Sequence, residues 1–285
     1  MFTHAITRLP AANFADGLTT VDLGIPDYPK TLAEHGRYLV ALKELGLTLT
    51  QLPADLRYPD STFVEDVAII TENGAILTRP GAESRAGEVA AMKDTLRQFY
   101  PELAEIVAPG TLDGGDICEV VPVLARGEVV PVLARGEVVP APARGETGAH
   151  FFIGISLRTN EAGAQQLADW LATKGCTSSF IDIRQTPGIL HLKSGIASIG
   201  DNRLIVIDSL AAHPAFAGYE LIRVAAGEEY AANCILVNDT ILIAAGFPKF
   251  EATLRGLDYK LKVLDMSEFQ KMDGGLSCLS LRFQP

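Results

Sequence analysis

The stretch FVEDVAIITENGAILTR, residues 63–79, carries the pattern that decides the fold. Its two apolar runs, FVEDVAII and AILTR, flank Glu72-Asn73-Gly74, and Asn-Gly between such runs is a strong signal for a β-hairpin. Residues 196–208 (IASIGDNRLIVID) and 234–244 (CILVNDTILIA) repeat the arrangement, with Asp-Asn and Asp-Thr at the turn. The sequence therefore predicts hairpins spread along the chain.

Helix-like stretches alternate with these hairpins. Leucines at helical spacing predict a helix over 31–45. The other four helical stretches are 86–99, 160–174, a short one near 209–217, and one near 249–256. Hairpins interleaved with single helices argue against a doubly wound parallel sheet, in which a helix should follow every strand. The expected class is α/β, with small strand-and-helix units arranged in a cycle.

The composition is that of a globular protein with an acidic charge balance. Of 285 residues, 48% are hydrophobic and 21% are charged, and the formal net charge is −11, so the chain can bury a large core. No Lys/Arg cluster with interleaved aromatic residues occurs, which argues against nucleic acid or an anionic membrane surface as a partner. A small cationic substrate suits this charge better.

Neither a membrane span nor a signal peptide is indicated. No apolar run reaches the roughly 18 residues that a span requires, and the first residues, MFTHAITRLP, lack the pattern of a secretory signal. The expected location is the cytoplasm. The cysteines at 118, 176, 234 and 278 are too evenly spread for a disulfide framework or a zinc site, although one of them can be a nucleophile.

A repeat interrupts this organisation between residues 119 and 145. The blocks EVVPVLARG, EVVPVLARG and EVVPAPARG follow one another without a gap. The period is far too short for a solenoid, and the prolines oppose pairing as a central strand. We therefore expect a single domain over 1–285, with a triplicated insertion in one hairpin loop that projects outward. A proline-rich ligand for a partner protein is the alternative.

Two segments place carboxylates inside otherwise apolar, turn-bounded stretches that are predicted to be strands. FVEDV holds Glu65 and Asp66, and TLDGGDI holds Asp113 and Asp116. Charged residues are almost never fully buried unless they are paired. These carboxylates are therefore expected to have cationic partners, either in the protein or in a ligand.

A thiol and an imidazole complete a hydrolytic set. Cys278 follows the pair Gly274-Gly275, and His191 lies between apolar neighbours in GILHLKSG. A cysteine served by a histidine that a carboxylate orients is the arrangement of many nucleophilic hydrolases, and Cys278, His191 and Asp113 can fill these roles. The alternative without a catalytic role is that Cys278 and His191 only pack in the core. The same residue types can also bind zinc, but their spacing in the sequence offers no compact pair of zinc ligands.

Taken together, the motifs resemble the dimethylarginine dimethylaminohydrolases of the guanidino-group-modifying (pentein) superfamily, along nearly the whole chain. The segments that carry the resemblance are DGLTT (16–20), PDYPKTLAEHGRYL (26–39), YPDSTFVEDVAII (58–70), LTRPGAESRAGE (77–88), APGTLDGGDI (108–117), IGISLRTNEAGA (153–164), LHLKSG (190–195), EEYAANCILVN (228–238) and KMDGGLSCLSLRF (271–283). The resemblance implies a five-unit α/β propeller with pseudo-fivefold symmetry.

The resemblance also implies residue roles. Cys278 would be the nucleophile, His191 the general acid and base, and Asp113 its orienting carboxylate, a position where bacterial relatives can carry Glu. The residues implied to bind substrate are Leu18, Asp60, Glu65, Asp66, Arg85, Arg158, Met272 and Asp273. Glu65 and Asp66 would hold the guanidinium, the arginines the substrate carboxylate, and Asp60 with two main-chain carbonyls the amino group.

The activity implied is hydrolysis of a free N-methylated arginine to citrulline and an amine, with no cofactor and no metal. The partner expected is this small molecule, and a second copy of the chain, forming a homodimer, is a further candidate. An arginine deiminase-like hydrolase would use the same parts on unmethylated arginine. A non-enzymatic binder of arginine-like metabolites, with a structural Cys278, is the alternative from another class.

Overall fold

A computed structural model describes residues 1–120, 132–134, 137–139 and 148–285, and in these residues the strands form five three-stranded sheets and one two-stranded sheet. The strands are β1 His4–Arg8, β2 Thr48–Leu52, β3 Ala68–Thr71, β4 Gly74–Leu77, β5 Leu103–Glu105, β6 Ile117–Val120, β7 Val132–Ala134, β8 Glu137–Val139, β9 His150–Ile155, β10 Thr177–Asp182, β11 Ile196–Ser198, β12 Arg203–Val206, β13 Glu220–Arg223, β14 Ile235–Val237, β15 Thr240–Ala244, β16 Lys260–Leu264 and β17 Leu281–Phe283. The helices are α1 Tyr28–Glu44, α2 Glu88–Leu96, α3 Glu161–Thr173, α4 Pro248–Gly256 and α5 Ser267–Gln270.

Each three-stranded sheet is built in the same way. The first two strands pair antiparallel, as β3 does with β4, and the third pairs parallel with the second, as β5 does with β4. A parallel neighbour needs a crossover connection, and α2 supplies it here. The hairpins predicted at 63–79, 196–208 and 234–244 are confirmed by the antiparallel pairs β3–β4, β11–β12 and β14–β15.

The fifth unit joins the two ends of the chain. β1 pairs antiparallel with β17, with His4 opposite Phe283, and it pairs parallel with β2. Five copies of one unit, the last closed by this pairing, form the five-unit α/β propeller, so the predicted fold class is confirmed.

Four of the five predicted helices are present, and the prediction near 209–217 is wrong. That segment contains only a 3-10 helix over Pro214–Phe216, between β12 and β13. Pro214 has no N–H and restricts the residue before it to extended conformations. Accordingly His213 has φ −67° and ψ 129°, which a helix through this point would not permit.

The helices are fixed by caps and by apolar faces. The Asp27 side chain accepts a hydrogen bond from Lys30 N at the start of α1, and Asn160 does the same from Gly163 N at the start of α3; such caps satisfy N–H groups that have no partner within the helix. Tyr38 and Leu42 of α1 are fully buried against the sheets.

A 3-10 helix precedes the first strand of every unit. These helices are Val64–Val67, Gly114–Asp116, Leu192–Ser194, Glu229–Ala232 and Ser277–Leu279. The carboxylates expected inside strands in fact lie in these turns or beside them, because β3 begins only at Ala68 and β6 at Ile117. Turns leave side chains free to converge on one point, which the alternating faces of a strand would prevent.

Most of the repeat lies outside the described residues. The prediction that it projects outward concerns those same residues and stays a prediction. Within it the structure shows β7 and β8, which pair antiparallel. Across the described ranges, no helix is long and apolar enough to cross a membrane.

Candidate active site

A cleft of about 360 Å³ collects most of the residues that the sequence singled out. Its lining consists of Leu18, Asp60, Phe63, Asp66, Arg85, Arg158, Leu190, His191, Met272, Asp273, Gly274 and Cys278. The thiol, the imidazole and three carboxylates, those of Asp60, Asp66 and Asp273, therefore share a single cleft. Two predicted residues, Asp113 and Glu65, are absent from this lining and lie behind it.

His191 is oriented by a buried carboxylate. Its Nε2 lies 3.1 Å from Oδ2 of Asp113, which has no exposed surface. Burial lowers the pKa of His191, but the negative charges of Asp66, Asp113 and Asp116 outweigh this effect and raise its pKa to about 9. The free site therefore holds an imidazolium at neutral pH, which can donate a proton.

Cys278 lies in the 3-10 helix Ser277–Leu279, just before β17, with 9% of its surface exposed. Burial and the charges of Glu65 and Asp66 raise the pKa of this thiol to about 12. Without a ligand the group is a neutral thiol. A cation placed between the sulfur and these carboxylates would favour the thiolate.

The side chain of Asp66 is fixed by hydrogen bonds and is ionised, so that it can attract a cation. Its Oδ2 accepts a 2.5 Å hydrogen bond from Arg85 Nη1, and its Oδ1 accepts from Gly115 N at 2.9 Å. Burial raises the pKa of Asp66, whereas the charges of His191 and Arg85 more than offset this and lower it to about 2. Asp66 is thus ionised at any physiological pH.

Arg85 is mainly engaged within the protein. Besides Asp66, it donates to both carboxylate oxygens of Glu88, at 3.0 and 2.8 Å, and to the carbonyl of Phe63 at 3.1 Å. Arg158 differs, because in the described part of the chain its guanidinium forms no hydrogen bond or ion pair. Of the two arginines in the lining, Arg158 is the one free to bind an anion.

Glu65 faces a second cavity. Its Oε1 lies 2.5 Å from Lys193 Nζ, and its Oε2 accepts from Ser277 Oγ at 2.7 Å. These three residues line a cavity of about 880 Å³ that does not include Asp66 or Cys278. Neighbouring residues in the chain thus point into different cavities, and Glu65 belongs to the wall between them.

The opposite end of the cleft is formed by a loop near the start of the chain. Leu18 N donates to both oxygens of Asp60, at 3.0 and 3.2 Å. Asp273 accepts hydrogen bonds from the amide and the hydroxyl of Thr20, at 2.5 and 2.9 Å. These contacts join the loop to Asp60 and Asp273, and Leu18, Asp60 and Met272 line the cleft there, where an ammonium group could find oxygen acceptors.

Asn233 is a site-forming residue that sequence reasoning missed. It follows the fourth 3-10 helix, and its side chain accepts from Ser277 N at 2.9 Å. Its Nδ2 donates to Ser277 Oγ and to the carbonyl of Lys193, at 3.1 and 3.0 Å. Asn233 therefore joins the nucleophile's turn to the histidine's turn. In the sequence, only its position directly after EEYAA (228–232) pointed to a role in the site, because an isolated Asn is neither a nucleophile nor an acid or base.

Three buried side chains also have the spacing of metal ligands. In the part of the chain that the structure describes, the potential ligand atoms of Asp66, Asp113 and His191 lie within 4.8 Å of one another. All three already have partners in Arg85, Gly115 N and each other. The arrangement fits proton transfer better than metal coordination.

Replacing Gly115 with alanine is expected to reduce kcat by about tenfold to a hundredfold, because displacing a catalytic group by a fraction of an ångström is costly. A Cβ at this position would lie 2.8 Å from Nδ1 of His191 and 2.9 Å from Oδ1 of Asp66. The imidazole would have to move. Gly36→Ala, whose Cβ would meet nothing within 4 Å, is the control. Normal kcat in folded Gly115→Ala protein would contradict this packing argument.

The chain is similar to known proteins along nearly its whole length. A dimethylarginine dimethylaminohydrolase of Pseudomonas aeruginosa is 40% identical over 99% of this chain and 100% of its own length. One from Streptomyces coelicolor is 31% identical, over 98% of this chain and 96% of the relative. No family model matches.

Solved structures extend the comparison. The Pseudomonas enzyme, as a cysteine-to-serine mutant complexed with citrulline, superposes with a TM-score of 0.86 at 39% identity, covering 99% of this chain and 100% of that one. The N-terminal domain of a cyanobacterial arginine dihydrolase gives a TM-score of 0.76 at 15% identity, covering 99% and 97%, and this likeness shows the fold alone.

Proposed function

Because the chain belongs to the dimethylarginine dimethylaminohydrolase family, we propose that it hydrolyses a free N-methylated arginine to citrulline and methylamine or dimethylamine. The observation that carries this proposal is the convergence of Cys278, His191 and Asp66 on a single cleft. The names of its relatives and the citrulline held by one of them support the same reaction.

The substrate would lie with its guanidinium beside Asp66 and its α-carboxylate at Arg158. A planar cation matches the geometry of a carboxylate, and Asp66 is ionised and lines the cleft. Glu65 would add negative charge from behind the wall, and Arg85 would reach the carboxylate only through the second N–H of Nη1, because its other four N–H groups donate within the protein. Asp60, with the carbonyls of Leu18 and Met272, would hold the amino group, and Asp273 would support that loop.

Substrate charge would activate the nucleophile. A thiol whose pKa is raised to about 12 is neutral at pH 7. A guanidinium bound next to the sulfur offsets the repulsion from Glu65 and Asp66, so the thiol proton passes to solvent. The enzyme would thus form its thiolate only when a cation is present.

The first half of the reaction forms a covalent intermediate. The thiolate attacks the guanidinium carbon, and a C–S bond forms. The tetrahedral adduct then collapses, its C–N bond breaks, and the imidazolium of His191 protonates the departing amine. What remains on Cys278 is a planar S-alkylthiouronium.

The second half releases citrulline. His191, now neutral, removes a proton from a water molecule, which attacks the same carbon. The C–S bond breaks, the sulfur leaves as a thiolate, and the ureido group of citrulline is left after loss of a proton. Asp113 orients the imidazole and stabilises its charged form in both halves.

Substrate preference tests the proposal. We expect kcat/KM for monomethylated or asymmetric dimethylated arginine to exceed that for arginine by at least about tenfold, because a pocket for one or two methyl groups is worth about 1–3 kcal/mol. Citrulline release is the readout. Faster turnover of arginine would identify an arginine deiminase-like hydrolase, and saturable binding without turnover would identify a binder of arginine-like metabolites.

The pH dependence follows from the free-site charges. The active form needs a thiolate and an imidazolium, and the pKa of Cys278 (about 12) lies above that of His191 (about 9). Since kcat/KM reports the free enzyme, it should rise about tenfold per pH unit from pH 7 and bend near the pKa of His191. A kcat/KM that is flat between pH 7 and 9 would contradict this order of the two pKa values, with that of Cys278 above that of His191.

We also propose a cytoplasmic location and a homodimer. All four cysteines are free and buried, which suits a reducing compartment. Cell fractionation tests the location. Light scattering across a dilution series tests the dimer.

A further inference from the structure

Asp116 is a buried carboxylate that the proposed reaction does not use. It has no exposed surface. Its Oδ2 accepts hydrogen bonds from Thr159 Oγ1 at 2.6 Å and Ser156 Oγ at 2.7 Å, and its Oδ1 accepts from Leu192 N at 3.0 Å. No ion pair with Lys or Arg is found for it within residues 1–120, 132–134, 137–139 and 148–285. A charge in this position needs a reason, because isolated buried carboxylates are costly.

The hydroxyl groups of Ser156 and Thr159 that surround Asp116 act as donors toward its carboxylate. Ser156 Oγ accepts from the main-chain N–H groups of Arg158 and Thr159, at 2.9 and 3.0 Å. Thr159 Oγ1 accepts from Asp113 N at 3.1 Å. A hydroxyl has two acceptor lone pairs and one proton, so Ser156 can only donate to residue 116. Position 116 therefore requires an acceptor, which a carboxylate supplies and an amide nitrogen does not.

This network reaches two residues that line the cleft, His191 and Arg158. Leu192 directly follows His191, and its N–H is fixed by Asp116. Arg158 lies between Ser156 and Thr159, whose hydroxyls both bond to Asp116. The backbone of Asp113 is attached through Thr159. One side chain thus connects the acid–base pair to the arginine that is free to bind the substrate carboxylate.

We propose that Asp116 is a positioning residue that holds His191 and Arg158 at a fixed separation across the cleft, and that its charge stabilises the imidazolium. This inference rests on the proposed function for the roles of both residues. The charged groups that face His191 are Asp66, Asp113 and Asp116, with Arg85 behind Asp66 and the Cys278 thiol in the same cleft. Asp116 is the one among these carboxylates that lines neither of the two cavities described above and has no hydrogen bond to an imidazole nitrogen among the described residues.

The first test is Asp116→Asn. We expect the midpoint of the His191 titration, followed by imidazole NMR in ligand-free protein, to fall by about one pH unit when a nearby negative charge is removed. The resonance is identified by its absence from a His191→Gly spectrum. Asp208→Asn, which removes an exposed carboxylate paired with Arg223, is the charge-matched control and should leave the midpoint unchanged. An unchanged midpoint in folded Asp116→Asn protein would overturn the electrostatic part.

The second test, Ser156→Ala, keeps the charge and removes one tie to the Arg158 loop. We expect KM for methylated arginine to rise about tenfold, while kcat/KM for the methylated agmatine analogue, which lacks the α-carboxylate, stays within about twofold. An equal loss for both compounds, or no loss for either, would overturn the link to Arg158.

The two tests also separate the inference from the proposed function. The NMR midpoint needs no turnover, so it remains decisive if no substrate is hydrolysed; in that case citrulline binding to Ser156→Ala replaces KM. If Asp116→Asn does not fold, Thr159→Val, which removes another hydroxyl donor to Asp116, takes its place. Both hydroxyl variants keep the Asp116 carboxylate, so they test its positioning role, and a normal KM in both would then refute the proposal.

Discussion

Cys278→Ser protein is expected to release citrulline at least about a thousandfold more slowly than the unaltered enzyme, because removing a nucleophile from a hydrolytic set costs several orders of magnitude. A serine hydroxyl is far less acidic than a thiol. In the proposed mechanism the charge of a bound guanidinium ionises the thiol, but the same charge would not ionise an alcohol. Steady-state citrulline formation from a methylated arginine is the measurement.

The matched control for this substitution is Cys176→Ser. Cys176 is 8% exposed, close to the 9% of Cys278, but it packs near the end of α3 and lines neither cavity. We expect this variant to keep its activity. We also expect a chloroacetamidine-type electrophile to label Cys278 of this variant stoichiometrically, as in the unaltered enzyme. If Cys278→Ser kept more than about a tenth of normal turnover, the covalent mechanism would have to be abandoned.

His191→Gly protein is expected to lose about 100- to 10,000-fold in kcat, the usual contribution of general acid–base catalysis. The leaving amine would have no proton donor, and the water of the second half would have no base. Added imidazole should restore part of the activity by occupying the space left beside Asp113. A His213→Gly variant, altered at a half-buried histidine outside the cleft, should be active and insensitive to imidazole.

The covalent step gives a second readout for the same variant. S-methyl-L-thiocitrulline, which forms an adduct with a histidine-to-glycine mutant of a solved relative, has a thiolate leaving group that needs little protonation. Intact-mass analysis of His191→Gly should show an adduct on Cys278 that is slow to hydrolyse. Rapid release of citrulline from this compound would mean that His191 is not the base of the second half.

The fold was predictable because its signals are local. Each hairpin is encoded by a short turn between two apolar runs, and the caps of α1 and α3 lie within three residues of the groups that they satisfy. The one helix predicted wrongly, near 209–217, is absent for an equally local reason, because Pro214 keeps His213 extended and this outweighs the apolar spacing. The single-domain boundary over 1–285 stays a prediction.

The site was predictable only in part, because its contacts join distant parts of the chain. Asp113 and His191 are 78 positions apart, and Ser277 and Glu65 are 212 apart. Motif resemblance pointed to the side chains but not to their partners. Lys193 beside Glu65 and Asn233 beside Ser277 carry no chemical signature of their own. The roles assigned to the eleven predicted site residues remain predictions that the variants above address.

The pairing of β1 with β17 has a consequence for biosynthesis. A ring whose last unit combines residues from both ends has its most distant contacts where it closes, and such contacts form late in folding. On the ribosome, β1 must wait until β17, residues 281–283, has been translated before it finds its neighbour. Cys278 immediately precedes that neighbour, so the thiol meets its imidazole only when the ring shuts, and nascent or truncated chains should be catalytically silent.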